Sequence, residues 1–304
     1  MYSAPPVVTT TVYSAMPDEL RMSGRPSAWA QNRGSKLLHS FLEGPSVDRA
    51  GNLYCVDIPF GRVFRVTPAG KWSVVVEYDG EPNGLKIHKD GRLFIADHKS
   101  GLVSIDPETG RLAKVLDRAA MEPFRGLNDL CFATNGDLYF TDPGQSTLTR
   151  PDGRVFRLRA SGEVDLLLDN IALPNGLVLN REENLLFVAE TKMNRVIGVP
   201  LRANYGGVGK TGVFVQMSGG TGPDGMALDE QGRLCVVHAG RGIVWVFDEG
   251  GEPVLRIQSS AGPRTTNCAF GGAERKTLFI TEADTASILQ VNLDTPGMKM
   301  FGHI

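Results

Sequence analysis

Six short segments recur along the chain, and their spacing restricts its fold more than any other feature: Leu42-Glu43-Gly44-Pro45, Glu81-Pro82-Asn83-Gly84, Gly126-Leu127-Asn128-Asp129, Leu173-Pro174-Asn175-Gly176, Gly222-Pro223-Asp224-Gly225 and Thr265-Thr266-Asn267-Cys268. Each sets one acid or amide at the start of an apolar run. From Glu43 through Asn83, Asn128, Asn175 and Asp224 to Asn267 the separations are 40, 45, 47, 49 and 43 residues, inside the roughly 40–50-residue period of propeller repeats. In the third unit Asn128 opens a run through Phe132, a turn follows at Thr134-Asn135-Gly136-Asp137, and Leu138 to Asp142 returns as a second strand. Gly153 to Leu158 and Val164 to Leu168 complete four strands, which is one blade. The expectation is an all-β protein: a six-bladed β-propeller with four antiparallel strands per blade, in one domain over residues 34–304, after an N-terminal extension over 1–33 that is rich in Pro, Ser and Thr. The sixth unit shows only three clear strands, and the run Lys36 to Phe41 is of fourth-strand type. That run is expected to close the last blade and remove two open sheet edges.

Composition narrows the function. With 32 basic and 34 acidic residues and a formal net charge of -2, there is no basic stripe for nucleic acid. No window approaches a membrane span. Met1 to Leu20 lacks the basic and apolar regions of a signal peptide, so a cytoplasmic location is the default. Cys55, Cys131, Cys235 and Cys268 fall singly inside apolar strands and read as buried thiols. A small-molecule partner is the expectation; oligomeric state is left open.

Equivalent positions of a propeller lie on a ring around its axis, so the six openers should converge. A second series follows 14 or 15 residues after each: Asp57, Asp97, Asp142, Glu190, His238 and Glu282. Taken singly, Pro-Asn-Gly, Pro-Asp-Gly and Asn-Asp are turn chemistry. Repeated in register, they would crowd carboxylates and amides at one channel mouth, where like charges repel unless a cation neutralises them. Hard oxygen donors without a His or Cys set suit Ca²⁺, Mg²⁺ or Mn²⁺ better than a thiolate zinc site. The second series reads mainly as strand-end acids that accept hydrogen bonds. His238, the one imidazole among them, His98 beside Asp97, and Arg125 are substrate-binding candidates with equal structural readings.

These motifs resemble the SMP-30/gluconolactonase/luciferin-regenerating-enzyme-like family of six-bladed propellers, also called regucalcin-like, over about residues 35–295. The resemblance rests on Leu42-Glu43-Gly44-Pro45, Leu127-Asn128-Asp129-Leu130 with Leu138-Tyr139-Phe140-Thr141-Asp142-Pro143, Leu173-Pro174-Asn175-Gly176-Leu177, Gly222-Pro223-Asp224-Gly225-Met226 and Thr266-Asn267-Cys268-Ala269-Phe270-Gly271-Gly272. It implies one divalent metal held by Glu43, Asn128, Asn175 and Asp224, Ca²⁺ foremost, with Mg²⁺, Mn²⁺, Zn²⁺ or Fe²⁺ as alternatives. It also implies Asp224 as general base, unless water polarised directly by the ion serves instead. Arg125, Asn83, His98, His238 and Asn267 would face substrate, although Arg125 stands three residues before Asn128, where animal regucalcins place an arginine two before. The implied reaction is hydrolysis of a sugar-derived lactone such as a glucono- or xylonolactone. Organophosphate-ester hydrolysis at the same metal, and a non-catalytic binding propeller with a structural ion, are the alternatives. Selectivity is expected in the loops Pro143 to Arg150 and Ala203 to Lys210.

Overall fold

Short runs of β-branched and aromatic residues bounded by Gly, Asp and Asn cannot bury two faces alone, and they solve this by stacking as blades. A computed structural model describes residues 4–32, 34, 38–202 and 207–304. It is a six-bladed β-propeller. Blade one runs outward from Leu42–Val47 through Leu53–Asp57 and Arg62–Val66 to Trp72–Glu77. Blade two comprises Pro82–Ile87, Leu93–Asp97, Gly101–Ile105 and Leu112–Leu116. The third follows the expected hairpin closely, with Leu130–Phe132, Leu138–Asp142, Gly153–Leu158 and Val164–Ile171. Blades four and five begin at Pro174–Leu179 and Gly222–Leu228, and blade six at Thr265–Gly271. Apolar side chains between neighbouring sheets form the core, for example Leu177, Leu186 and Val188 against Cys131 and Val155. All four cysteines are buried free thiols.

The ring is closed by a different segment from the one expected. Thr11–Ala15 pairs antiparallel with Ser287–Asn292 as the outer strand of blade six, and Val7–Thr9 lies parallel on Pro253–Gln258 as a fifth strand of blade five. Of the run proposed for this role, Lys36 and Leu37 lie outside the described residues, and Leu38 to Phe41 is not strand. The chain between, including the helix Ala28–Asn32, packs Trp29 and Ala30 against Ile58, Leu38 and Phe41.

At the opposite end the C-terminal tail lies across the far ends of the innermost strands. Met298 donates its N–H to Leu228 O at 3.0 Å, and the Phe301 ring stacks on Phe132 at 5.0 Å. Gly302 seats on Ile87, and His303 Nε2 is 2.7 Å from Val47 O. The channel is therefore covered on that side by the tail.

Candidate active site

The openers are not turns; most lie within the innermost strands, at an irregularity that five blades repeat. Strand pairing slips between Glu43 and Ser46, Pro82 and Gly84, Pro174 and Leu177, Pro223 and Met226, and Thr265 and Cys268. A bulge of this kind frees one residue from the ladder and re-aims its side chain. Glycine then follows because adjacent innermost strands nearly touch. A Cβ on Gly84 would stand 2.9 Å from Asn128 O, and one on Gly176 2.3 Å from Asp224 O. Blades are stitched at the same level: Thr141 Oγ1 donates to Asn175 O at 2.8 Å, Thr191 Oγ1 to Pro223 O at 2.7 Å and Thr266 Oγ1 to Leu42 O at 2.8 Å.

Above these bulges opens a cavity of about 890 Å³. Glu43, Asn83, Asn128, Asn175 and Asp224 line it, so five openers meet; His98 lines it as well. Pro143 to Thr147 supply part of the rim, as expected for that loop. In the other loop Ala203 to Gly206 lie outside the described residues, and Val208 pairs with Leu201 beyond the end of Arg195–Pro200 remote from this mouth.

Three expected residues are not brought to the cavity lining. Asn267 is buried behind it, its Nδ2 donating to Asp129 Oδ2 at 3.2 Å and its Oδ1 accepting from Cys268 N at 2.8 Å. Arg125 turns away from the axis: Nη2 donates to Glu122 Oε1 at 2.8 Å and Nη1 to Asp152 O at 2.6 Å, so it braces the loop after Asp142. His238 borders a separate groove between blades four and five. Its Nδ1 accepts from Trp245 Nε1 at 3.3 Å, which leaves Nε2–H to donate to Gly219 O at 2.8 Å. Both ring nitrogens are thereby used within the fold.

The acids of the second series end in local bonds. Asp57 accepts from Phe41 N at 2.7 Å and from Arg62 Nε at 3.0 Å; Asp142 accepts from the N–H groups of Arg125 and Gly126 and from Arg154 Nε. Glu190 pairs with Arg195 at 2.6 Å and Glu282 caps the Asp284–Thr285 turn. These residues fasten each second strand to the loops beside it.

Two charged residues absent from the sequence expectation lie behind the site's floor. Asp129 is 2% exposed, and burial holds its carboxyl above its usual range while the nearby charge of Lys86, itself 5% exposed, pulls it down. In five blades the residue after the opener is Gly44, Gly84, Gly176, Gly225 or Cys268; Asp129 alone carries a charge there. Three residues after the opener come Ser46, Lys86, Cys131, Val178, Ala227 and Phe270, with Lys86 the one cation. Departure from the repeat was the available signal.

Electrostatically the floor is under load. Burial, then Asp224 and Asp129, holds the Glu43 carboxyl well above its usual range. Burial and then the charge of Asp129 push Asp224 up to about 8, with the Asn175 amide pulling the other way. Asn128 Oδ1 is buried without a hydrogen-bond partner, an arrangement that costs free energy when nothing fills it. No three His, Cys, Asp or Glu side chains among the described residues are grouped as metal ligands, so an ion here draws on amide oxygens. Two carboxylates with Asn128 and Asn175 fit a hard divalent cation: charge is balanced, and the orphaned acceptor gains a partner.

Comparison with known proteins agrees with this architecture. The family model described as "SMP-30/Gluconolactonase/LRE-like region" matches residues 41–284. Lactonase drp35 of Staphylococcus aureus is 32% identical over 234 residues, covering 71% of this chain and 69% of its own length. Among solved structures, a calcium-binding protein, regucalcin, from Agrobacterium tumefaciens superposes with a TM-score of 0.79 at 23% identity, covering 99% of this chain and 100% of that one. A gluconolactonase from Xanthomonas campestris gives 0.74 at 24% identity over 96% and 99%.

Proposed function

Because the chain belongs to the SMP-30/gluconolactonase/LRE-like family, we propose that it is a metal-dependent hydrolase that opens a sugar-derived lactone. The observation that carries this reading is the convergence of Glu43, Asn128, Asn175 and Asp224 on one cavity floor, with Asn128 Oδ1 unpaired. Those four residues would hold the ion, and Ca²⁺ is the first to try, given the oxygen donors and the calcium-binding fold neighbour. When bound, a divalent ion supplies Lewis-acid polarisation of a carbonyl and charge stabilisation of an oxyanion.

The chain's own residues do the rest. Asp224, which lines the cavity, would be the carboxylate that takes a proton from water as the water oxygen bonds to the lactone carbonyl carbon. The ring C–O bond then breaks, and the proton passes to the departing alkoxide, giving the open hydroxy acid. Asn83 and His98 also line the cavity and would bond substrate hydroxyls. Asn267 and Asp129 hold the floor from behind.

The test is a panel of lactones and phosphoesters run on metal-stripped protein and after adding back Ca²⁺, Mg²⁺, Mn²⁺, Zn²⁺ or Fe²⁺. Lactone turnover that is lost on stripping and restored by an ion is expected. Unchanged hydrolysis after stripping, or a preference for phosphoesters, would reject the proposal.

A further inference from the structure

One wall of the cavity is built by chain that lies before the family-matched region, which begins at residue 41. Trp29 and Leu38 line the cavity together with Phe41 and Ile58. Trp29 is buried, and its ring lies 5.0 Å from that of Phe41. The segment carrying it meets the propeller at Arg25, whose Nη1 reaches Glu77 on the outer strand of blade one at 2.9 Å.

A polar floor and an apolar wall ask for different parts of one ligand. Hydroxyl groups laid against Trp29, Leu38, Phe41 and Ile58 would lose water without gaining a partner. An apolar group there would be favoured by burial and by contact with the aromatic faces. The cavity, at about 890 Å³, also lies near the upper end of the roughly 300–1,000 Å³ found for drug-sized ligands, which are larger than a monosaccharide lactone. We infer that the sugar-derived lactone carries an apolar alkyl or aryl arm, and that Trp29 is the specificity-determining residue that receives that arm. This rests on the lactonase reading above; the arm takes no part in bond breaking.

The experiment compares kcat/KM of the full, metal-loaded chain for an unsubstituted δ-lactone, glucono-δ-lactone, and δ-lactones bearing a hexyl or phenyl substituent. Wild type should prefer the substituted compounds. Trp29→Ala should lower their kcat/KM by about 10–100-fold, chiefly through KM, while the unsubstituted lactone changes by about twofold or less; Trp29→Phe should keep most of the preference. In a Trp72→Phe/Trp245→Phe background Trp29 is the sole tryptophan, and its emission should shift with a phenyl-substituted δ-lactam and not with the unsubstituted lactam. Equal or better turnover by wild type of lactones without such an arm would overturn the inference, as would an equal loss on all lactones in a folded Trp29→Ala protein. If Trp29→Ala does not fold, Trp29→Phe and the emission readout decide. If no lactone is turned over, the lactonase reading fails, and the emission readout alone decides this inference: a shift with the phenyl lactam only supports it, and any other pattern overturns it.

Discussion

Asp224 and Glu43 set two carboxylates in one poorly hydrated floor, and their shared repulsion makes the protein's stability depend on pH in an unusual direction. An unfolded Asp224 ionises near its ordinary value of 3.8, whereas in the fold it keeps its proton up to about 8. The folded state therefore binds more protons across that interval. The associated stability is fully present below pH 4 and is lost as pH rises through 8, at up to about 1.4 kcal/mol per pH unit for one group. The Tm of metal-free protein should fall between pH 5 and 8, and saturating Ca²⁺ should remove that slope; a flat or rising metal-free Tm would count against the arrangement. Asn128 offers a second check. Because its Oδ1 has no partner to lose, Asn128→Ala should change metal-free stability by about 1 kcal/mol or less while weakening metal binding, measured calorimetrically, by about tenfold or more. At this scale Glu43, Asn83, Asn128, Asn175 and Asp224 could be read from the sequence because symmetry marks them six times over. Asp129 and Lys86 were passed over, since each occurs in a single blade and shows only as a departure from the repeat, and the bonds that commit Arg125 and His238 elsewhere leave no mark in the sequence.

Edge strands control how the propeller ends. Thr11–Ala15 and Val7–Thr9 cover Ser287–Asn292 and Pro253–Gln258, which would otherwise present unpaired backbone groups. Met16, 2% exposed, sits in the core cluster of blades one and six with Leu42 and Phe279, and Trp72 Nε1 donates to Ser14 Oγ at 2.8 Å. Deleting residues 1–16 should cost about 2 kcal/mol through Met16 alone and leave two edges open. A lower denaturation midpoint with concentration-dependent association, followed by light scattering, is the expected result; an unchanged midpoint would show that the closure is dispensable. The inner strands were legible because both faces are buried and their apolar runs are unbroken. The closing strand, Thr-Val-Tyr-Ser-Ala, is half-exposed throughout, so its composition carries little pattern. The run Lys36 to Phe41, just ahead of the first opener, drew the assignment instead, although Leu38 and Phe41 within it line the cavity.

Taken whole, the molecule is a ring whose two chain ends do different work: the beginning finishes the outer circumference and one cavity wall, and the end crosses the axis. Six-fold recurrence made the ring legible from spacing alone. The tail was not, because Leu293 to Ile304 belongs to no repeat and its aromatic contacts, Phe301 with Phe132 and His88, are long-range. With Met298, Phe301 and His303 set across the inner strand ends, the reaction chamber is a blind alley. Traffic through it is two-way along one passage, and a hydroxy acid that has just formed stands between the floor and the next lactone. Added product should therefore act as a competitive inhibitor in steady-state assays, raising KM without lowering kcat. A noncompetitive pattern would mean that the acid binds at a place other than the cavity floor.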